Sequence, residues 1–366
     1  MDLSQLTLRD KIGQMFFIGI PGAEYDEQTR ELIDEIKPGG ICLFARNIKT
    51  PEQTRRLLDS LVDALPVLPA LSLDQEGGLV DRLRRLLEPM PPASAFYDDQ
   101  DVREFAAIIA EAIRILGFNM NFAPVVDVLT ADRADTNSGL YSRIFGRDTE
   151  DTTELAGSFL TALQENGVVG CLKHFPGLGA APVDSHEELP TIEISGYELH
   201  STDLQPYRTL FSSARVHAVM TAHAVYPNTT LLDRDEGGRL FPSSLSQSAV
   251  SDLLKQELGF DGVAITDDLE MGAIKRNYGI GEACVTAVNA GEDMLAICAD
   301  QSSIREGYSY VRSAAENGHI SSTRIDDACR RIVKLKQELK PSLPFDLSRL
   351  QQLSVAVRDL RSRLKE

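Results

Sequence analysis

Residues 168–175 read VVGCLKHF, an apolar run that ends in a lysine, a histidine and a phenylalanine. Seven other stretches share this near-continuous apolar character: MFFIGI (15–20), GGICLF (39–44), VLPALSLD (67–74), NMNFAPVVDV (119–128), AVMTAHAVY (218–226), GVAITDDL (262–269) and DMLAI (293–297). Runs of this kind are typical of strands that are covered on both faces, as they are in parallel sheets. The eight stretches therefore predict eight buried parallel strands.

Segments with helical periodicity separate the eight strands. Pro51 opens one of them before the third strand, and Pro242 begins the segment before the seventh. The repeated alternation of strand and helix favours an α/β fold of the single-domain TIM-type (β/α)8 barrel over an open sheet. Two extra C-terminal helices, about 321–338 and 348–365, are expected outside the barrel. Because no linker or repeat is evident, we predict that residues 1–366 form one barrel domain.

The charge balance narrows the choice of partners. The chain has 55 acidic residues against 37 lysines and arginines, a formal net charge of -18 and a sequence pI of about 4.8. Such a field repels nucleic acid and anionic membrane surfaces. No apolar run approaches the roughly 20 residues that span a bilayer. The charge therefore argues against nucleic acid and membranes as partners.

Cysteine usage and the N-terminal residues favour a cytoplasmic location. The five cysteines are far apart and form no CxxC motif, which is typical of buried thiols in a reducing compartment. The first residues, MDLSQLTLRDKIGQ, contain no apolar segment like that of a signal peptide. We expect a cytoplasmic protein that is a monomer or a weak dimer.

Polar residues lie at the C-terminal ends of the predicted strands, where the active sites of barrels are found. These residues are Asp74, Asp127, Lys173, His174, His223, Asp267 and Asp268. Polar side chains without a shared role would be scattered along the strands instead. Their common position predicts that most of them line one pocket.

A metal site is the first chemistry to test against this pattern. His174 and His186 are twelve residues apart, and the chain has neither HxH nor HExxH. Zinc sites in hydrolases use such short histidine spacings, and Lys173 beside His174 would repel a cation. We therefore expect no metal and no other cofactor.

Glycosyl transfer fits the residues better. Asp267 ends a strand in a sharp turn and could present a carboxylate to the pocket, but a second carboxylate is not evident. The loop after the fifth strand instead offers Asp184 and His186, a pair in which a carboxylate could orient an imidazole for proton transfer. The tripeptide DSH on its own is equally compatible with an ordinary polar turn.

Taken together, these motifs resemble a known enzyme family. The combination of KHFPG, DSH, an upstream DQEGG and a downstream GVAITDDLEM resembles family-3 glycoside hydrolases, specifically the β-N-acetylglucosaminidases of peptidoglycan recycling. The resemblance extends in order over most of the chain, through LRDKIGQMFFIG, PGGICLFARNI, LGFNMNFAPVVDV, SRIFGRD, VMTAHAVYP, PSSLS and AGEDML.

The resemblance implies roles for individual residues. Asp267 would be the nucleophile that forms a covalent glycosyl-enzyme, and His186 the general acid/base on a mobile loop, with Asp184 as its partner. Four residues match the sugar-binding residues of the family: Asp74, Arg143, Lys173 and His174.

The other strand-end residues are assigned supporting positions. We expect Asp127 behind the pocket and His223 as a packed histidine. Asp268 is expected to cap the helix that follows Asp267.

Two positions depart from the family's usual motifs. Leu178 stands where KHFPGHG has its second histidine, and Leu79 stands where DQEGGRV has its arginine. Both residues are expected near the mouth of the pocket, where the changes would affect the aglycone side or loop closure rather than the reaction.

The sequence thus predicts a retaining exo-β-N-acetylglucosaminidase that hydrolyses terminal GlcNAc from cell-wall (muropeptide) fragments. Alternatives are a GlcNAc or glucoside phosphorylase or a β-glucosidase of the same family, and a non-catalytic sugar-binding barrel. Addition of phosphate to the assay distinguishes the phosphorylase, and sugar binding without turnover distinguishes the binding protein.

Overall fold

The computed structural model describes residues 6–133, 140–185 and 187–364 of the chain. Its strands are β1 (Phe16–Gly19), β2 (Gly40–Cys42), β3 (Ala70–Ser72), β4 (Gln75–Gly77), β5 (Val80–Asp81), β6 (Met120–Asn121), β7 (Val169–Gly170), β8 (Leu172–Phe175), β9 (Ala218–Thr221), β10 (Val263–Thr266) and β11 (Leu295–Ile297).

The α-helices alternate with these strands along most of the chain. They are α1 (Leu8–Gln14), α2 (Glu27–Ile36), α3 (Pro51–Ala64), α4 (Asp99–Leu116), α5 (Thr149–Glu165), α6 (Gly196–Glu198), α7 (Gln205–Ser213), α8 (Gly272–Lys275), α9 (Ile280–Ala290), α10 (Gln301–Glu316), α11 (Ser322–Glu338) and α12 (Leu347–Arg363). Two π-helices, Leu199–Asp203 and Ser248–Glu257, take the places of further helices on the outer layer.

The strands follow one another in the order of a (β/α)8 barrel. Parallel ladders join β11, β1, β2 and β3, then β6 and β7, then β8, β9 and β10. Further backbone hydrogen bonds connect these ladders. The Asn119 N–H donates to the Leu71 carbonyl at 3.1 Å, the Lys173 N–H to the Pro124 carbonyl at 3.3 Å and the Thr266 N–H to the Met294 carbonyl at 3.1 Å. Each of the eight predicted apolar runs contains at least one strand, so the predicted α/β barrel is confirmed.

Helix α4 shows how the sequence specifies an outer-layer helix. Asp98 caps its N-terminus by accepting hydrogen bonds from the Gln100 and Asp101 N–H groups, and Gly117 ends it in the left-handed conformation with φ of 111°. One face of the helix carries buried apolar residues at helical spacing, including Phe105 and Ile109. This face packs on the barrel and on α5.

A cluster of phenylalanines fixes the loop that precedes α5. The rings of Phe96 and Phe105 stack with centroids 4.8 Å apart, and the rings of Phe145 and Phe159 are 5.5 Å apart. Phe145 is almost fully buried. Because Phe145 lies two residues after Arg143, its burial anchors the short 3₁₀ turn Tyr141–Arg143 at the edge of the barrel mouth.

The two C-terminal helices lie where the sequence predicts them. Helix α11 packs against α1 and α12 packs against α4, each through a buried apolar face. The Arg55 guanidinium holds the segment between them by donating to the Leu343 carbonyl at 2.7 Å. Among the described helices, none combines the length and the apolar character that crossing a membrane requires.

A buried ionic cluster joins the outer layer to the last strand. Asp293, two residues before β11, is fully buried, and both of its carboxylate oxygens lie 2.8 Å from Lys255 Nζ. Arg324 of α11 donates to the same carboxylate. The cluster therefore ties the π-helix Ser248–Glu257 and α11 to the barrel wall.

Replacing Asp293 with alanine is expected to lower the free energy of unfolding by about 3–5 kcal/mol, because two cations would lose their buried partner. Urea denaturation measures this loss. Asp326→Ala is the matched control: its carboxylate also pairs with a lysine, Lys11, but its side chain is 57% exposed. The control should lower the free energy of unfolding by only about 0–1 kcal/mol. Equal losses in the two variants would contradict the structural role of Asp293.

Candidate active site

Polar side chains converge at the C-terminal ends of neighbouring strands. Asp74 lies two residues after β3, Lys173 and His174 lie within β8, and Asp267 directly follows β10. The Asp267 N–H donates to the Thr221 carbonyl at 3.0 Å, which continues the pairing of β10 with β9 up to the nucleophile candidate. Strand pairing therefore sets the backbone position of this carboxylate.

Lys173 is a buried cation held by two carboxylates. Its Nζ lies 2.8 Å from Asp74 Oδ1 and 2.6 Å from Glu76 Oε1, and its side chain is 2% exposed. Burial on its own would lower the pKa of Lys173, but the two neighbouring carboxylates raise it to about 12. Lys173 is therefore charged throughout the physiological range, as its predicted sugar-binding role requires.

Arg143 is held by the same buried glutamate. Its Nε lies 2.8 Å from Glu76 Oε2 and its Nη2 lies 2.9 Å from Glu76 Oε1, a bidentate contact. Burial favours protonation of Glu76, yet the charges of Arg143 and Lys173 hold the pKa of this carboxyl well below its usual range. A buried carboxylate thus lies between two buried cations.

His174 is oriented from behind by Asp127. The Asp127 Oδ2 atom lies 2.8 Å from His174 Nδ1, and its Oδ1 accepts from the backbone N–H groups of His174 at 3.2 Å and Leu178 at 2.7 Å. With Nδ1–H donating to Asp127, the neutral imidazole keeps Nε2 as an acceptor. Nε2 lies 3.4 Å from Arg143 Nη2. Asp127 therefore lies behind the pocket, as predicted.

Asp267 is partly exposed at the top of β10, with several positive or potentially positive groups around it. Its Oδ1 accepts from the Asp268 N–H at 2.8 Å. Burial raises the pKa of Asp267, but nearby His174 and His223, the Asp268 N–H and Lys173 together lower it below the usual aspartate range. The side chain is consequently an ionised carboxylate at neutral pH.

His223 and Asp268 support the turn after β10. His223 is fully buried, with Nδ1 2.7 Å from Ser244 Oγ and Nε2 3.1 Å from the Asp268 carbonyl oxygen. Asp268 Oδ1 accepts from the N–H groups of Glu270 and Cys298 at 3.0 and 3.3 Å. The prediction that Asp268 caps a helix is wrong, because Met271 is the residue that precedes α8 and Asp268 holds a tight turn instead.

Two pocket residues were not singled out from the sequence. Glu76 lies in β4, and Arg82 follows β5 of the same antiparallel hairpin. Arg82 Nη2 lies 3.5 Å from Asp74 Oδ2, and its guanidinium carbon lies 5.6 Å from the centre of the Phe44 ring. Arg82 Nε is buried and finds no acceptor among the described residues. The DQEGG motif is the one sequence signal that marks this hairpin.

The loop of the predicted acid/base is described only in part. His186 lies outside the described residues, so its assignment stays a prediction. Asp184 is exposed, whereas Ser185 is buried and its carbonyl accepts from the Ala273 N–H at 3.3 Å. Ala273 belongs to α8, which begins five residues after Asp267. The residue next to His186 therefore contacts the element that follows the nucleophile candidate.

The two positions that depart from the family's motifs lie in different environments. Leu178 is 5% exposed and belongs to the hydrophobic core, with its backbone N–H on Asp127. Leu79 is 70% exposed at the tip of the hairpin that carries Glu76. The expectation that both lie at the pocket mouth is therefore wrong for the Leu178 side chain.

Metal ions in proteins are held by several His, Cys, Asp or Glu side chains that converge on one point. Within 6–133, 140–185 and 187–364, no group of three or more His, Cys, Asp or Glu side chains is arranged to hold one. The buried cations Lys173 and Arg143 occupy the space between the pocket carboxylates instead.

Comparison with known proteins gives a consistent picture. The family profile "Glycosyl hydrolase family 3 N terminal domain" matches residues 7–335. A beta-hexosaminidase A from Pseudoalteromonas piscicida is 30% identical over 338 residues, which are 86% of this chain and 56% of that protein. A beta-hexosaminidase from Pseudomonas aeruginosa (strain LESB58) is 32% identical over 293 residues, 78% of this chain and 82% of that protein.

Solved structures agree with these relatives. A glycoside hydrolase family 3 β-N-acetylglucosaminidase from Paenibacillus sp. str. FPU-7 superposes with a TM-score of 0.86 at 33% identity, covering 97% of this chain and 69% of that one. A family 3 glycosyl hydrolase from Mycobacterium smegmatis superposes with a TM-score of 0.81 at 32% identity, covering 93% of this chain and 100% of that one. The chain belongs to glycosyl hydrolase family 3, and it is a glycoside hydrolase of the β-hexosaminidase kind.

Proposed function

We propose that the protein is a retaining exo-β-N-acetylglucosaminidase that reacts through a covalent glycosyl-Asp267 intermediate. The observation that carries the proposal is the state of Asp267: a carboxylate with a lowered pKa at the end of β10, close to Lys173 and His174. An ionised carboxylate is the form that attacks the anomeric carbon in retaining glycosidases. Attack forms the C1–O bond to Asp267 and breaks the bond to the leaving oxygen.

The glycone would be held by hydrogen bonds of both kinds. Asp74 is partly exposed and can accept from sugar hydroxyls, while Lys173 and Arg143 can donate to them. The His174 ring, whose Nδ1 is held by Asp127 and whose Nε2 faces Arg143, would contact the glycone beside that guanidinium. The hairpin places Arg82 beside Asp74, with Arg82 Nη2 3.5 Å from Asp74 Oδ2, so that Arg82 can donate to the sugar as well.

The second step requires a proton donor that becomes a base. We assign this to His186, with Asp184 as its partner, on the basis of the family resemblance and of the Ser185 contact with α8. His186 would protonate the leaving oxygen and then take a proton from the water that attacks C1. A histidine is neutral after giving up its proton, so it would not repel an anionic nucleophile that approaches the glycosyl-enzyme, as a second carboxylate would.

The substrate class rests on the relatives as well as on the pocket. The Paenibacillus protein is a β-N-acetylglucosaminidase, and the curated relatives are beta-hexosaminidases. We infer terminal GlcNAc on cell-wall fragments as the substrate and one barrel domain as the working unit. The five buried free cysteines support the inferred cytoplasmic location, and the inferred state is a monomer or weak dimer.

Hydrolysis of p-nitrophenyl β-GlcNAc tests the proposed activity, with p-nitrophenyl β-glucoside as the control substrate. We expect faster cleavage of the GlcNAc compound and release of the β-anomer first, as followed by NMR. Initial release of the α-anomer would rule out double displacement. Formation of GlcNAc-1-phosphate when phosphate is added would favour the phosphorylase.

Trapping locates the nucleophile directly. A 5-fluoro derivative of a GlcNAc donor should slow breakdown of the intermediate and leave its label on the peptide that contains ITDDLEM (265–271). Peptide mass analysis identifies the labelled residue. A stable label on any other peptide would contradict the assignment of Asp267.

A further inference from the structure

We infer that Glu76 is a positioning residue for the sugar pocket: it holds Lys173 and Arg143 side by side so that their remaining N–H donors point at the glycone. The inference rests on the proposed function, since it concerns the same site. Glu76 itself is 3% exposed on its side chain, and both of its oxygens are occupied by these two cations. It therefore acts through its neighbours rather than by contact with the sugar.

A count of donors shows what this arrangement leaves for a ligand. The Lys173 ammonium has three N–H groups, of which Asp74 and Glu76 accept two. Arg143 has five, of which Glu76 accepts two and His174 Nε2 faces one. One donor of Lys173 and the Nη1 donors of Arg143 remain, and the bidentate contact fixes the plane in which the latter lie.

Charge gives a second reason for a carboxylate at this position. The Arg143 charge by itself lowers the pKa of Lys173, so the two cations repel each other. Glu76 lies 2.6–2.9 Å from both and offsets that repulsion in a buried site. The positive charge of Lys173 also lowers the pKa of Asp267. Because Glu76 offsets part of that positive charge, it weakens the field at the proposed nucleophile.

The variant Glu76→Gln keeps the size of the side chain and removes its charge. We expect the inhibition constant of GlcNAc and the KM for p-nitrophenyl β-GlcNAc to rise by about tenfold or more, with a smaller fall in kcat, since the ground-state contacts to the sugar are lost. The positive field at Asp267 would increase, so the pKa of Asp267 and the acid limb of the pH profile should shift to lower pH. A role limited to folding predicts neither change.

Asp81→Asn is the matched control on the same hairpin. Asp81 is also a buried carboxylate, but it accepts from Gln75 Nε2 and the Met90 N–H, both at 2.9 Å. This variant should lower thermal stability and leave KM and the acid limb unchanged. A folded Glu76→Gln protein with the wild-type KM, or equal changes in both variants, would overturn the inference.

Two further variants keep the test decisive if Glu76→Gln folds poorly. Glu76→Asp retains the charge with a shorter reach, so KM should rise while the acid limb stays in place. The double variant Glu76→Gln/Arg143→Ala should lose less GlcNAc binding than the sum of the two single variants, because part of the effect of Glu76 passes through Arg143; fully additive losses would overturn the inference. If the wild type binds GlcNAc in calorimetry but does not hydrolyse the aryl substrate, the proposed function fails while the binding constants still decide the role of Glu76.

Discussion

Replacing Asp267 with asparagine is expected to lower kcat for p-nitrophenyl β-GlcNAc by at least about 10⁴-fold, which is the size of the loss expected when an enzyme's nucleophile is removed. The amide has nearly the same size as the carboxylate, so strand pairing and the contact with the Asp268 N–H can persist. What disappears is the anion that we propose attacks the anomeric carbon. Binding of GlcNAc, which depends on other side chains, should change far less.

Asp268→Asn is the matched control for this prediction. The two aspartates are adjacent in sequence, but Asp268 accepts from the backbone of its own turn. The control should lose less than about tenfold in kcat, since the amide oxygen can still accept from those N–H groups. More than one part in a hundred of wild-type activity in Asp267→Asn, or an equal loss in Asp268→Asn, would contradict the assignment.

Chemical rescue provides an independent test of Asp267 as the nucleophile. In Asp267→Ala the side chain is removed and a small anion can enter the space it leaves. Added azide should restore part of the rate and yield the α-glycosyl azide, because it attacks from the face that the carboxylate occupied. The β-azide would instead mean that the missing group acted on the opposite face as a base.

The barrel itself could be predicted because its signal is local. Each apolar run was long enough to be recognised without reference to any other, and each contains a strand. The runs are nevertheless longer than the strands. Of residues 119–128, only Met120–Asn121 form a strand, and Val125 adds an isolated parallel bridge to Lys173, while the other apolar residues are buried outside a regular ladder. Burial, rather than strand pairing, accounts for the length of the pattern.

The hairpin could not be predicted, because its signal is not local. Glu76 has the sequence context of a surface turn, with two glycines after it. Its function depends on Arg143 and Lys173, which are distant in the chain and meet it only when the barrel has formed. Arg82 reaches Asp74 for the same reason, through the reversal of the chain between β4 and β5. The role of such side chains depends on contacts with residues that are distant in the chain, so inspection of one strand at a time cannot identify them.

Replacing His186 with alanine is expected to act in proportion to the basicity of the leaving group. For a β-linked GlcNAc disaccharide, whose leaving oxygen must be protonated, kcat/KM should fall by about 10²–10⁴-fold, the usual contribution of general acid catalysis. For 2,4-dinitrophenyl β-GlcNAc, whose phenolate leaves without help, formation of the glycosyl-enzyme should be affected much less. Comparing kcat/KM for the two substrates measures this ratio.

The neighbouring carboxylates offer the decisive control. Glu187 and Glu188 directly follow His186 and are exposed, so either could supply a proton if the loop closed differently. Glu187→Gln and Glu188→Gln should therefore leave the ratio between the two substrates unchanged. A leaving-group-dependent loss in one of these variants would transfer the acid role to a glutamate. A uniform loss in His186→Ala would mean that the histidine binds the substrate without moving a proton.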